Sequence, residues 1–183
     1  MIEQVRCRWA VEHPELLEYH DNVWGQPTRD DRAIFAAYAQ CVLHAGLLGT
    51  AMLRKRGAFE RAFDGWDVAH IASYDGGETD RLMSSPDMMH NLQKITCIIH
   101  NAGRYLEVQQ EFGSFSNYLW KFVNDSALSG VTDVERARAV SEHLSVEMKK
   151  RGFKFAGPTS MFGLMEDVGM VNDHDASCFL ALN

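Results

Sequence analysis

Two short stretches hold most of the residues that could do chemistry: YHDNVWG at 19–25 and NDHDASC at 172–178. His174 and Cys178 stand four apart, so on a helix both side chains point the same way. That spacing suits two ligands of one metal ion, and a closed tetrahedral site needs two more. Cys7 and His20, near the N-terminus, can supply them. A Cys2His2 set of Cys7, His20, His174 and Cys178 would join the two ends of the chain. With four positions filled, the ion would be a structural zinc rather than a generator of hydroxide. A His-x-x-x-Cys pair by itself is weak evidence. His13, His44, His70, His90, His100 and His143 show no comparable grouping and read as ordinary surface or core side chains. Cys97, in the apolar run KITCIIHNA, reads as a core residue. Cys41 lies three residues from His44, but such pairs are more often inert neighbours than a thiolate and its base.

The elements that must position these residues are helical. Apolar side chains at Ile34, Phe35, Tyr38, Val42 and Leu43 predict a helix over 30–45. A second is expected from Met52 to Phe63. Asp67 is a plausible N-cap for a short helix over 68–74. Asp75-Gly76-Gly77 reads as a breaker, followed by a short helix over 79–84 that stops before Pro86. The clearest helix runs from Asn91 to Glu111, with Gly113 ending it. Phe115, Leu119, Trp120 and Val123 mark another. A Ser/Gly/Asp connection fills 124–132, and a long helix follows over 133–150. Thr159 is expected to cap a helix over 160–168. The stretch 19–25 reads as a loop, and no strand is expected. The class is all-α, a compact bundle of short helices.

The chain has 183 residues, enough for one domain with a sizeable core. No run of about 18 apolar residues suggests a membrane span, and MIEQVRCRWA lacks the apolar stretch of a secretory signal. A cytoplasmic location, without a membrane partner, is expected. The net charge of −7 opposes non-specific attraction to a polyanion. It leaves room for a local basic face such as KKRGFKF at 149–155 or Arg54, Lys55 and Arg56.

Five motifs then occur in order: RCRWA, YHDNVWG, AGL, KKRGFKFAGPTS and GMVNDHDASC. Together they resemble the 3-methyladenine DNA glycosylase I family over residues 5–178. The resemblance implies a helical fold of the helix-hairpin-helix glycosylase type. It implies one domain over 1–183, with terminal segments 1–28 and 160–183 packed on a helical core, 29–159. It implies a structural zinc held by Cys7, His20, His174 and Cys178. The implied activity is hydrolysis of the N-glycosylic bond of 3-methyladenine in alkylated double-stranded DNA, the first step of base excision repair, by a monomer. A base must be flipped out of the duplex to be cut. A 3-methylated adenine is cationic and already a good leaving group, so recognition should rest on a carboxylate and aromatic faces.

Within that resemblance the sequence departs from the pattern. Val23 stands where the family has Glu. Cys41 stands where a base-contacting Glu is expected, and Leu48 and Gly49 replace Ser and Trp. The implied pocket is therefore Tyr19, Trp24, Cys41, Leu48 and Gly49, with no catalytic residue assigned. The turn MMHNLQKI, 88–95, keeps Asn91 and Lys94 as expected DNA contacts but loses two arginines of the family's IIRNRLKI-like turn. Glu166 and Asp167 replace Gln and Ala; they are candidates for replacing the missing carboxylate but are expected to face solvent, since carboxylates are rarely buried. These changes leave open whether the chain is an enzyme. The alternatives are a module that binds a nucleobase or DNA without excision, and a site for a small purine outside DNA.

Overall fold

The computed structural model describes residues 4–44 and 49–182; Leu48 lies outside that range. The described chain is mainly helical. A first helix, α1 (Pro14–Asn22), begins with Pro14 at its first position, where the missing N–H costs nothing and the ring presets the backbone. Tyr19 and His20 therefore lie in the last turn of a helix, not in the loop expected, and Val23 is its C-cap. Helix α2 (Asp31–His44) and helix α3 (Gly49–Ala62) follow. Helix α4 (Val68–Ala72) is capped by the Asp67 side chain, as expected, through the His70 amide.

Helix α5 (Gly76–Ser84) starts three residues earlier than its expected 79. The Asp75 side chain accepts from the amides of Gly77 and Glu78, so the segment read as a breaker is an N-cap and first turn. Helix α6 (Leu92–Phe112) has Asn91 as N-cap and Gly113 in the left-handed region as its C-cap. Its buried face carries Ile95, Ile98, Ala102 and Tyr105, which pack within one core with Phe35, Tyr38 and Ile71. Helix α7 (Phe115–Trp120) is short and passes into a tight 3-10 turn, Lys121–Val123. Helix α8 (Val134–Lys150) lies against α9 (Pro158–Asp167). Gly157, not Thr159, is the N-cap of α9, because Pro158 takes the first helical position.

The absence of strands was a wrong expectation. β1 (Leu128–Ser129) pairs in parallel with β2 (Val171–Asn172), residue 128 opposite 171. Two-residue strands leave no periodic signal. Their effect is local: the pairing ties the segment that carries His174 to the connection before α8.

Two hydrogen-bonded anchors hold the frame. Asp31, at the start of α2, accepts from the amides of Phe115 and Ser116, both at 2.8 Å, and from Gln109 Nε2 at 2.6 Å. Its carboxylate thus neutralises orphan amides at the start of α7. Buried Asn101 accepts the Lys154 amide at 2.9 Å and donates to the Lys154 carbonyl at 3.0 Å, fixing the loop between α8 and α9.

Candidate active site and metal centre

The turn after α1 docks on the end of α9. The Gly25 amide donates to the Glu166 carbonyl at 2.9 Å. Gly169 has a φ of 70°, and a Cβ there would lie 2.3 Å from the Gln26 carbonyl carbon, so no other residue fits. This contact sets the last turn of α1 beside the last turn of α9. It brings the two motif-bearing ends of the chain together.

Cys7, His20, His174 and Cys178 are all buried, with their ligand atoms within 4.8 Å of one another. These four could hold a metal ion. Cys7 Sγ is 3.5 Å from His174 Nδ1, and Cys178 Sγ is 3.5 Å from His20 Nε2. The facing nitrogens, His20 Nε2 and His174 Nδ1, are 3.1 Å apart. The outer nitrogens settle what those inner atoms are. His20 Nδ1 lies 2.8 Å from the Asp21 carboxylate, and His174 Nε2 lies 3.3 Å from the Trp24 carbonyl. Both partners only accept, so the outer nitrogens carry the protons and the inner ones present lone pairs. Two lone pairs pointed at each other call for a cation between them. Burial also pushes the Cys7 thiol up to about 12, so a thiolate there needs a cation beside it. Arg6 grips Asp21 with two nitrogens at 2.9 and 3.0 Å and holds its carboxyl below the usual range. Trp24 packs edge-on against His174, ring centres 4.6 Å apart, and shields the cluster.

Beside this cluster lies a cavity of about 340 Å³, walled by Tyr19, Trp24, Cys41, His44, Glu166 and Asp167 among others. The structure thus brings three of the sequence-derived pocket residues, Tyr19, Trp24 and Cys41, to one space. Gly49 is the first residue of α3, and Leu48 is outside the described range. Asp167 differs from its expected solvent-facing place. It is half-buried and turned inward: the Tyr19 hydroxyl donates to its Oδ1, and Cys41 Sγ lies 3.8 Å from its Oδ2. Burial raises Asp167 to about 6, against the pull of Tyr19 and Arg56, so it is largely ionised at neutral pH. Glu166 is raised further, to about 8, by burial and by its neighbours Asp173 and Asp167, and is largely protonated.

Burial, and next the Asp167 charge, push the Cys41 thiol well above its ordinary value. A protonated, enclosed thiol is a weak donor and no nucleophile. His44 is lowered to about 4, first by burial and then by Arg56 and Lys94, so its imidazole is neutral. Its Nε2 is buried without a hydrogen-bond partner among the described residues. Arg56 caps the outer side of Tyr19, its guanidinium carbon 5.2 Å from the ring centre. A second cleft, of about 440 Å³, reaches Asp167 from the side of Val23, Gln40 and Arg56. The aromatic cavity is the better candidate for a base, because the rings of Tyr19 and Trp24 border it.

The hairpin from α5 to α6 places Asn91 and Lys94 differently. Asn91 is exposed at the helix start, its side chain accepting the Lys94 amide at 3.1 Å. The Lys94 side chain turns inward and donates from Nζ to the Leu43 carbonyl at 2.7 Å, tying α6 to the end of α2. Nothing in the sequence pattern distinguished an inward from an outward lysine there. His44 is the site residue that sequence reasoning missed, and Asp167, a candidate there for the missing carboxylate, was expected to face solvent instead. The signal for Asp167 was available: an acidic residue at a position where the resemblance expects Ala.

A helical bundle with a Cys/His cluster beside an aromatic and acidic cavity is an arrangement suited to a base-removing glycosylase. The methyladenine glycosylase family model matches residues 9–181. The chain is 33% identical to the DNA-3-methyladenine glycosylase of Haemophilus influenzae, covering 94% of this chain and 96% of that one. It is 32% identical to DNA-3-methyladenine glycosylase 1 of Escherichia coli, covering 94% and 95%. Among solved structures, 3-methyladenine DNA glycosylase I of Staphylococcus aureus superposes with a TM-score of 0.88 at 33% identity, covering 97% of each chain. A tyrosine-to-phenylalanine variant of such an enzyme, in complex with 3-methyladenine, superposes with a TM-score of 0.87 at 32% identity, covering 97% and 98%. The chain belongs to the methyladenine glycosylase family.

Proposed function

We propose that this chain is a DNA-3-methyladenine glycosylase that hydrolyses the N-glycosylic bond of alkylated adenine in double-stranded DNA, opening base excision repair. The observation that carries the reading is the cavity between α1, α2 and α9, where two aromatic rings and an ionised carboxylate meet. A flipped 3-methyladenine is a flat cation. Aromatic faces and a carboxylate favour it over neutral adenine. Water adds to the sugar carbon, the bonding pair leaves with the base as neutral 3-methyladenine, and the extra proton of the added water passes to solvent. The methyl group already places positive charge on the ring, so departure needs no proton from the protein. Recognition and positioning then account for the residues present, and no side chain is assigned as a general acid or base.

DNA would lie along the hairpin, with the first turn of α6 at Asn91 facing a phosphate. The N-terminal end of a helix suits that role. Lys94 would act from behind, holding the hairpin to α2. The protein is taken to act as a monomer. The metal is read as one zinc on Cys7, His20, His174 and Cys178. Zinc at about 2.3 Å from sulfur and 2.0–2.1 Å from nitrogen puts tetrahedral N and S neighbours about 3.5 Å apart. The N–S separations of 3.5, 3.5 and 3.6 Å support this assignment. When bound, the ion supplies cross-linking of the chain ends and no Lewis-acid chemistry, since its four positions are filled.

Methylated duplex DNA incubated with purified protein tests the activity: released 3-methyladenine above background is expected. Absence of release, together with absence of salt-sensitive DNA binding, would remove the reading.

A further inference from the structure

The cavity holds a carboxylate, but not from the helix where the resemblance places one. We propose that Asp167 is the specificity-determining residue of this chain, so that the charge selecting a cationic purine is delivered by α9 rather than α2. This inference rests on the glycosylase reading above and deepens it.

The geometry makes positions 41 and 167 one exchangeable unit. Asp167 Oδ2 lies 3.8 Å from Cys41 Sγ, so its charge sits against the place a longer acidic side chain on α2 would fill. A Glu at 41 beside Asp167 would force two carboxylates together, and one would have to take up a proton. A Cys at 41 removes that conflict and contributes a weak S–H donor to Asp167 instead. The Tyr19 hydroxyl, donating to Oδ1, fixes the carboxylate's direction from α1. Among the described residues the thiol is the hydrogen-bond partner of Oδ2, which leaves lone pairs for an amino group of a base. His44, on α2, adds an unpartnered Nε2 at the same cavity wall.

The other charged groups are compatible with this role. Arg56, from α3, lies over the outer face of Tyr19 and favours the ionised form of Asp167. Glu166, next to it on α9, is largely protonated and does not compete for the cation. Two of the changes that made activity doubtful in the sequence, a lost acid at 41 and a gained acid at 167, therefore read as a single relocation of charge.

The test compares wild type, Asp167→Asn, Cys41→Glu and the double variant Cys41→Glu/Asp167→Ala. The readouts are binding of free 3-methyladenine against adenine, by NMR titration of the folded proteins, and release of 3-methyladenine from methylated duplex DNA. Asp167→Asn is expected to weaken 3-methyladenine binding about tenfold to a hundredfold, the worth of a charged hydrogen bond, and to leave adenine unchanged. The double variant should regain the preference, and Cys41→Glu alone should bind worse than the double variant. An Asp167→Asn protein that keeps the wild-type preference overturns the inference, as does a wild type without any preference. A wild type that prefers 3-methyladenine through Asp167 but releases none overturns excision and leaves the inference standing. Release that is indifferent to Asp167 does the reverse.

Discussion

Asp167 and Glu166 are neighbours on one helix turn, yet their surroundings give them different charges. Tyr19, Arg56 and Cys41 favour the charged form of Asp167, whereas Glu166 meets only burial and two other acids. The consequence is a testable pH dependence. Glu166 has an ordinary value of 4.5 and sits at about 8 in the folded protein. The folded state therefore keeps a proton that the unfolded state has lost. Its contribution to stability is fully present below about 4.5 and is lost as the pH rises toward 8, by at most about 1.4 kcal/mol per pH unit. Glu166→Gln removes that slope while keeping the shape. Urea unfolding at pH 5 and pH 8 should show the variant gaining on wild type at the higher pH; an equal difference at both would contradict the assignment. At this scale the sequence was partly legible. The four Cys/His residues announced themselves by type and spacing. The inward turn of Asp167 did not, because it depends on how α9 is rotated against α1 and α2.

At the scale of elements, local chemistry was readable and nonlocal packing was not. Asn91, Gly113 and Asp67 sit where capping rules put them, and the helices they bound were found. Asp75 was misread because Gly-Gly suggests a break, although an aspartate can cap across it. Helix α1 was missed because it is short and mostly polar, even though Pro14 and Glu15 mark a helix start. The Asp31 anchor was invisible in the sequence, since its partners Phe115 and Ser116 lie more than eighty residues away. Asp31→Ala should cost about 1–3 kcal/mol by exposing those amides to an unpaired state. Denaturant unfolding would measure it, and a loss below a few tenths would mean that water or Ser114 satisfies the start of α7.

For the whole molecule, the fold is held at its ends as much as at its centre. A small cluster of Cys7, Ala10, Trp24 and Cys178 stands apart from the main core, beside His20 and His174. The Phe179 amide also donates to the Val5 carbonyl at 2.9 Å, crossing the two termini. Cys178→Ala should lower bound zinc from about one per chain to near none and cause a marked fall in melting temperature. A variant that keeps its zinc and its melting temperature would refute the staple. Loss of the staple should also loosen the cavity, because the turn holding Tyr19 and Trp24 is pinned between His20, His174 and the end of α9. Among the described residues no helix is long and apolar enough to cross a membrane.

The departures at positions 23 and 41 and the arginines lost from the turn 88–95 raised the question of whether catalysis survives in a retained fold. The carboxylate in the cavity argues that it does. The most direct measurement is release of free base from methylated duplex DNA by the wild-type protein, resolved by chromatography. Free 3-methyladenine in the supernatant, rising with enzyme and time, is expected. Base release no greater than that from DNA alone, with folded and zinc-loaded protein, would contradict it.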